Sequence, residues 1–149
     1  MIPAYTKHRA AVVSGHRYYR LNISASAASP LIYEMPLRIV SGGASVATGG
    51  TASASSTLSS NVPANAFDGN TSTYWEANAG VPQQLEYDFG SGVTNKIVEY
   101  ALYTVGGFHS PTGWTLEHSD DGSTWTVCDT RSGVTLTAST YNTFTVASP

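Results

Sequence analysis

Charge is scarce in this chain. Only 11% of its 149 residues are Asp, Glu, Lys or Arg, and the net charge is -3. That leaves no basic stripe able to displace counterions, so nucleic-acid binding is excluded as a function class. Arg9, Arg17 and Arg20 form one small basic cluster, which reads as a solvated strand face. Cysteine is nearly absent as well. Cys128 stands alone, so no intrachain disulfide forms and the chain is not a stapled secreted scaffold. Cys128 ends the alternation Trp125-Thr126-Val127-Cys128 and is expected to pack as a small, partly buried residue; a thiolate nucleophile is the alternative. No apolar run approaches the roughly 20 residues that span a bilayer, and no charged-then-apolar leader opens the sequence. The expectation is synthesis in the cytoplasm without a classical export signal, and no membrane insertion. Glu, Lys, Leu and Arg are too few for long amphipathic helices.

The motifs of catalysis are missing too. There is no His-Glu-x-x-His, no Gly-x-Ser-x-Gly, and no glycine-rich loop leading into a helix. Ser41-Gly42-Gly43 and Thr48-Gly49-Gly50 are glycine pairs in a polar loop. His8, His16, His109 and His118 lack ligand-like spacing, and Asp120 and Asp121 are explained by turn chemistry. The sequence points to a protein that is not an enzyme.

What is present is Ser, Thr, Gly, Ala and Tyr, a composition suited to pleated surfaces and frequent turns. Arg17 to Ile23 alternates, with Tyr19, Leu21 and Ile23 on one face and Tyr18, Arg20 and Asn22 on the other. Tyr33 to Val40 alternates again, grouping Tyr33, Met35, Leu37 and Ile39, with Pro36 marking an edge or a bulge. The Ser41 to Asn61 tract is either a flexible linker or a loop followed by a small-residue strand at Thr51 to Ser55; the second is preferred. Gln83 to Phe89, Lys96 to Val105, Trp114 to His118, Thr124 to Cys128 and Tyr141 to Val146 complete the strands, with Asp120-Asp121-Gly122-Ser123 as a hairpin turn. Many short strands with frequent turns predict an all-β antiparallel sandwich over residues 15–149, preceded by an extended arm over residues 1–14.

One stretch carries chemistry of its own: Ala66-Phe67-Asp68-Gly69-Asn70-Thr71-Ser72-Thr73-Tyr74-Trp75. Asp68, Asn70 and Thr73 offer a carboxylate, an amide oxygen and a hydroxyl, and Gly69 lets the backbone bend toward them. This is either an Asx turn ahead of a core tryptophan or an oxygen-rich loop for a hard cation such as calcium.

Together with Leu85-Glu86-Tyr87-Asp88-Phe89-Gly90 and Pro111-Thr112-Gly113-Trp114-Thr115-Leu116-Glu117-His118-Ser119-Asp120-Asp121-Gly122-Ser123-Thr124-Trp125, this stretch resembles the coagulation-factor type C, or discoidin, domain over about residues 51 to 146. The resemblance implies a galactose-binding-like β-sandwich of jelly-roll type, with Trp75, Trp114 and Trp125 at core positions. The usual closing strand pair, rich in aromatics and Arg, is absent after Val146. A pair of that kind stands instead at Arg17 to Ile23 and Ile32 to Arg38. The chain therefore looks circularly permuted; the rival reading is a strand exchanged between subunits of a homo-oligomer. The resemblance also implies a structural calcium held by the Asp68 carboxylate, Thr73 oxygens and the carbonyls of Asn65 and Asn70. The permuted pair would add Glu34 and the Tyr33 carbonyl.

Related modules bind ligands on loops at one end of the sandwich. Gly106-Gly107-Phe108-His109-Ser110 fits that role here, with an aromatic ring and an imidazole for a sugar's apolar face and hydroxyls; Asn78, Tyr74 and Arg131 are secondary candidates. The alternative has Phe108 folded into the core and His109 capping a turn. Small Ser/Thr/Gly/Ala-rich versions of the domain resemble those of bacteriophage structural proteins. The expectation is thus a virion surface protein, either a capsid decoration or a tail component. Its partners would be virion proteins and cell-surface glycans. A free-standing bacterial lectin-like module is the alternative.

Overall fold

The computed structural model describes residues 15–149; the arm expected over residues 1–14, with His8 and Arg9, lies outside them. The alternation of Arg17 to Ile23 becomes strand β1 (Tyr18–Ala25), with Tyr19, Leu21 and Ile23 buried. The other strands are β2 (Leu31–Ile32), β3 (Leu37–Arg38), β4 (Thr51–Ala54), β5 (Trp75–Glu76), β6 (Gln83–Asp88), β7 (Glu99–Thr104), β8 (Gly113–Ser119), β9 (Thr126–Arg131) and β10 (Thr140–Thr145). One turn of 3-10 helix, Pro63–Ala66, precedes the Asp68 loop.

The five-stranded sheet runs β4-β6-β1-β8-β9, all antiparallel, and a three-stranded sheet β10-β7-β3 forms the opposing layer. β2 and β5 make a short third pair. β1 is the middle strand of the larger sheet, registered against β6 on one side and β8 on the other. It completes the sheet of its own chain. The β8–β9 turn is the expected one: Asp121 Oδ1 accepts the Ser123 and Thr124 N–H groups at 2.8 and 2.7 Å.

Between the layers lie Leu21, Ile23, Leu85, Trp114 and Leu116 from one side and Leu37, Tyr100 and Leu102 from the other, with Trp75 and Met35 beside them. Each such side chain contributes about 1.5–3 kcal/mol by leaving water. One polar chain crosses this core. Trp114 Nε1–H donates to the Tyr100 hydroxyl (2.8 Å), which donates to Asp129 (2.7 Å), and Arg131 Nε–H donates to the same carboxylate oxygen (2.8 Å). Every group named has a partner, which is what makes a buried polar chain tolerable. Cys128 is buried, its thiol pushed up to about 12 by burial, and it packs in the core as a small residue.

Three expectations are corrected. The Tyr33 to Val40 strand is broken. The N–H groups of Tyr33 and Glu34 both point at the Tyr103 carbonyl (3.0 and 3.4 Å), while Tyr103 N–H donates to Glu34 O (2.9 Å). Two residues thus oppose one, a bulge that shifts the alternation. Met35 and Leu37 face the core, whereas Tyr33 is half-buried and Ile39 is exposed. Trp125 is not a core residue; it lies half-buried on the outer face, with the Arg20 guanidinium 4.0 Å from its ring centroid. The last sheet strand before β10 begins at Thr126 rather than Thr124 and runs on to Arg131. Of the basic cluster, Arg17 is ion-paired with Asp88 and Arg20 with Glu117, and Arg9 lies outside the described residues.

Candidate functional site

The Asp68 loop is first of all a well-made turn. Asp68 Oδ1 accepts the Asn70 N–H at 2.8 Å, and Asn70 Oδ1 accepts the Ser72 N–H at 3.0 Å. The Thr73 hydroxyl lies 2.7 Å from Asp68 Oδ2 and 2.9 Å from the Asn70 carbonyl. Gly69 sits at φ +75°, where a side chain would be strained, and Asn65 Nδ2–H ties the loop closed on the Tyr74 carbonyl at 3.0 Å.

Turn chemistry does not account for the neighbour. The bulge at Tyr33 and Glu34 aims the Glu34 side chain beneath this loop, where it is only 3% exposed and its Oε1 has no hydrogen-bond partner. Burial first, and then the Asp68 carboxylate beside it, push the Glu34 pKa up to about 7, against the pull of the Asn70 and Gly69 N–H groups. Two carboxylates face one another with a bare oxygen between the loops. A hard cation would neutralise both, so the residues fit one. Among the described residues no group of three or more His, Cys, Asp or Glu converges on a metal-like position. The remaining oxygens would therefore be hydroxyl and carbonyl, the donor set calcium takes. Glu34 and Asp68 also line a cleft of about 340 Å³ with Arg38, Phe67, Thr48 and Tyr141.

At the β7–β8 loop, Gly106 and Gly107 both adopt φ +80°, and the chain they turn leaves Phe108 77% exposed. The ring projects; it does not fold into the core. Its backbone is nonetheless fixed, because the Phe108 carbonyl accepts the Ala28 N–H (2.8 Å) and the His109 carbonyl accepts the Leu31 N–H (3.0 Å). His109 Nδ1 lies 2.8 Å from the Ser29 carbonyl and 3.9 Å from Glu76 Oε1. Glu76, which the sequence reading missed, is in turn held by Asn61 Nδ2–H at 3.1 Å.

Tyr74 packs on Tyr33, ring centroids 4.9 Å apart, and the Tyr33 hydroxyl is raised by burial, Tyr74 and Glu76 together. Phe108, His109, Glu76, Tyr33 and Tyr74 thus form one end of the sandwich. Asn78 is exposed, its backbone N–H donating to the Ser56 hydroxyl at 3.1 Å, and the preceding Ala77 N–H donates to the Pro30 carbonyl (3.0 Å). Arg131 does not join that end. Its guanidinium is committed to Asp129 and to the Thr145 carbonyl (2.8 Å each). On another edge, His16 and His118 stack with centroids 3.5 Å apart beside Asp120, a pairing invisible in their spacing.

The F5/8 type C domain family matches residues 51–148, from the start of β4 to just beyond β10, and so covers well over half of the chain. No curated protein and no solved structure matches it. β1, which precedes the matched residues, is the strand that completes their larger sheet. The chain belongs to the F5/8 type C, or discoidin, family, whose β-sandwiches are in general binding modules and not catalysts.

Proposed function

We propose that this domain is a non-catalytic glycan-binding module whose sugar site is the end formed by Phe108, His109, Glu76, Tyr33 and Tyr74. The observation that carries this reading is Phe108. An aromatic ring 77% exposed on a loop pinned by backbone hydrogen bonds keeps an apolar face in water at a fixed position. Sugars present C–H faces that cover such a ring, and hydroxyls that meet an imidazole and a carboxylate beside it. A glycan array tests it. Phe108→Ala and His109→Ala should each lose the signals of the parent domain; retention of those signals would refute the assignment.

The calcium belongs to the same reading as a staple and not as a reactant. Asp68, Glu34, the Thr73 oxygens and the carbonyls of Tyr33, Asn65 and Asn70 would hold it, joining the Asp68 loop to the segment that carries Tyr33. Bound there, it would supply positive charge to two facing carboxylates.

As carrier we favour a bacteriophage virion surface, as capsid decoration or tail component, on the strength of the Ser/Thr/Gly/Ala-rich composition. A free-standing bacterial module is the alternative. Light scattering on the full chain and on residues 15–149 separates them: an oligomer that becomes monomeric on truncation supports assembly through the arm, and a monomer in both forms supports the free module.

A further inference from the structure

Four tyrosines form a continuous row that joins the Phe108 end to the Glu34 cleft. Their ring centroids are 4.9 Å apart from Tyr74 to Tyr33, 6.2 Å from Tyr33 to Tyr103 and 5.1 Å from Tyr103 to Tyr141. The row is a product of the sheet. Tyr141 on β10 is directly registered with Tyr103 on β7, and Tyr103 bridges to the Tyr33–Glu34 bulge. The spacings, 4.9 to 6.2 Å, are uneven but of the order of the distance between adjacent strands, about 4.8 Å, and comparable to the size of one sugar ring. None of the four belongs to the buried core, and Tyr141 is 43% exposed.

The tilts between successive rings are 47°, 66° and 62°, so neighbouring rings meet tilted or edge to face; Tyr33, Tyr74 and Tyr103 are half-buried and Tyr141 is the exposed end. Polar groups lie along it. Glu76, 3.9 Å from His109, acts on Tyr33, while Tyr141 opens on the cleft lined by Glu34, Arg38 and Asp68. Tyrosine suits such a surface because it gives rigid contact area and a hydroxyl at little cost in conformational entropy.

We propose that this row is an extended subsite for a linear polysaccharide, so that the domain binds along an extended pyranose chain rather than a terminal sugar alone. The proposal rests on the glycan-binding reading above and names its ligand class. The ligand class is an extended, ribbon-like β-1,4-linked chain, whose successive units can meet successive rings.

The test is calorimetry of the full chain, in calcium, against cello-, chito- and xylo-oligosaccharides from dimer to hexamer. In at least one series affinity should rise with length up to about the tetramer. Tyr141→Ala should lower the affinity for the hexamer about tenfold, as loss of a stacking anchor does, yet leave the dimer unaffected. Tyr141→Phe should keep the ring and keep the affinity. Because Tyr141 is exposed, its variants should melt with the parent domain, and Tyr103→Ala serves as a second probe only where its melting is also unchanged.

Affinity that is flat with chain length, absence of binding in all three series, or hexamer binding indifferent to Tyr141→Ala would overturn the row. Glycan-array signals that depend on Phe108 would, under any of those outcomes, leave the glycan-binding reading standing. An array with no signals at all would remove both.

Discussion

Two buried glutamates, one on β7 and one on the bulged segment beside it, are treated in opposite ways. Glu99 is 5% exposed and fully met: Arg38 donates to it at 2.7 Å, the Ser41 hydroxyl at 2.5 Å and the Gly42 N–H at 3.0 Å. These donors, Ser41 first, hold its pKa down to about 2. Glu34 is 3% exposed, has a bare oxygen, faces Asp68 and is pushed up to about 7. Burial is the same; partnership is not. A carboxylate completed by its own chain belongs to the fold, and one left incomplete points to something the chain itself does not supply.

The largest effect should follow from breaking the complete one. Glu99→Ala strands Arg38 and should cost about 3–5 kcal/mol in denaturant unfolding, by the same amount with calcium or with chelator. Next comes the ion. Calcium at a hundredfold excess over its Kd should stabilise the parent domain by about 2.7 kcal/mol, a melting shift of several degrees, and Asp68→Ala should abolish the shift.

A third contrast is in pH. Because the Glu99 pKa is depressed in the folded state, its contribution is full above the unfolded value of 4.5 and is lost as pH falls toward about 2. Acid titration of Glu99→Gln should show that part of the slope missing. The smallest effect should be Glu34→Gln in chelator. An amide carries no charge to bury, so stability should change by less than about 1 kcal/mol while calcium stabilisation disappears.

Much of this was legible in the sequence. Alternation marked Tyr19, Leu21 and Ile23 as inward, and the Asp68 loop announced itself by its oxygens and glycine. Alternation says which way a side chain faces within one strand, but not where the strand is interrupted. The Tyr33–Glu34 bulge depends on Tyr103, some seventy residues on, and it decides that Glu34 lies under the Asp68 loop.

The tyrosine row was hidden for the same reason, being made of register between strands far apart in the chain. Glu76 was missed beside the more conspicuous Trp75. Arg131 stands apart from the Phe108 end because its guanidinium is held by Asp129, two residues away, a bond its position near a loop did not announce. Trp125 resembles a core residue in motif position, yet the outer face of β1 offers it the Arg20 guanidinium instead.

Calorimetric titration of calcium into chelator-treated, metal-free protein tests most directly whether Glu34 is completed from outside the chain. One binding site per chain, absent from both Asp68→Ala and Glu34→Gln, is the predicted result. No heat from the parent domain, or binding undiminished in both variants, would contradict it.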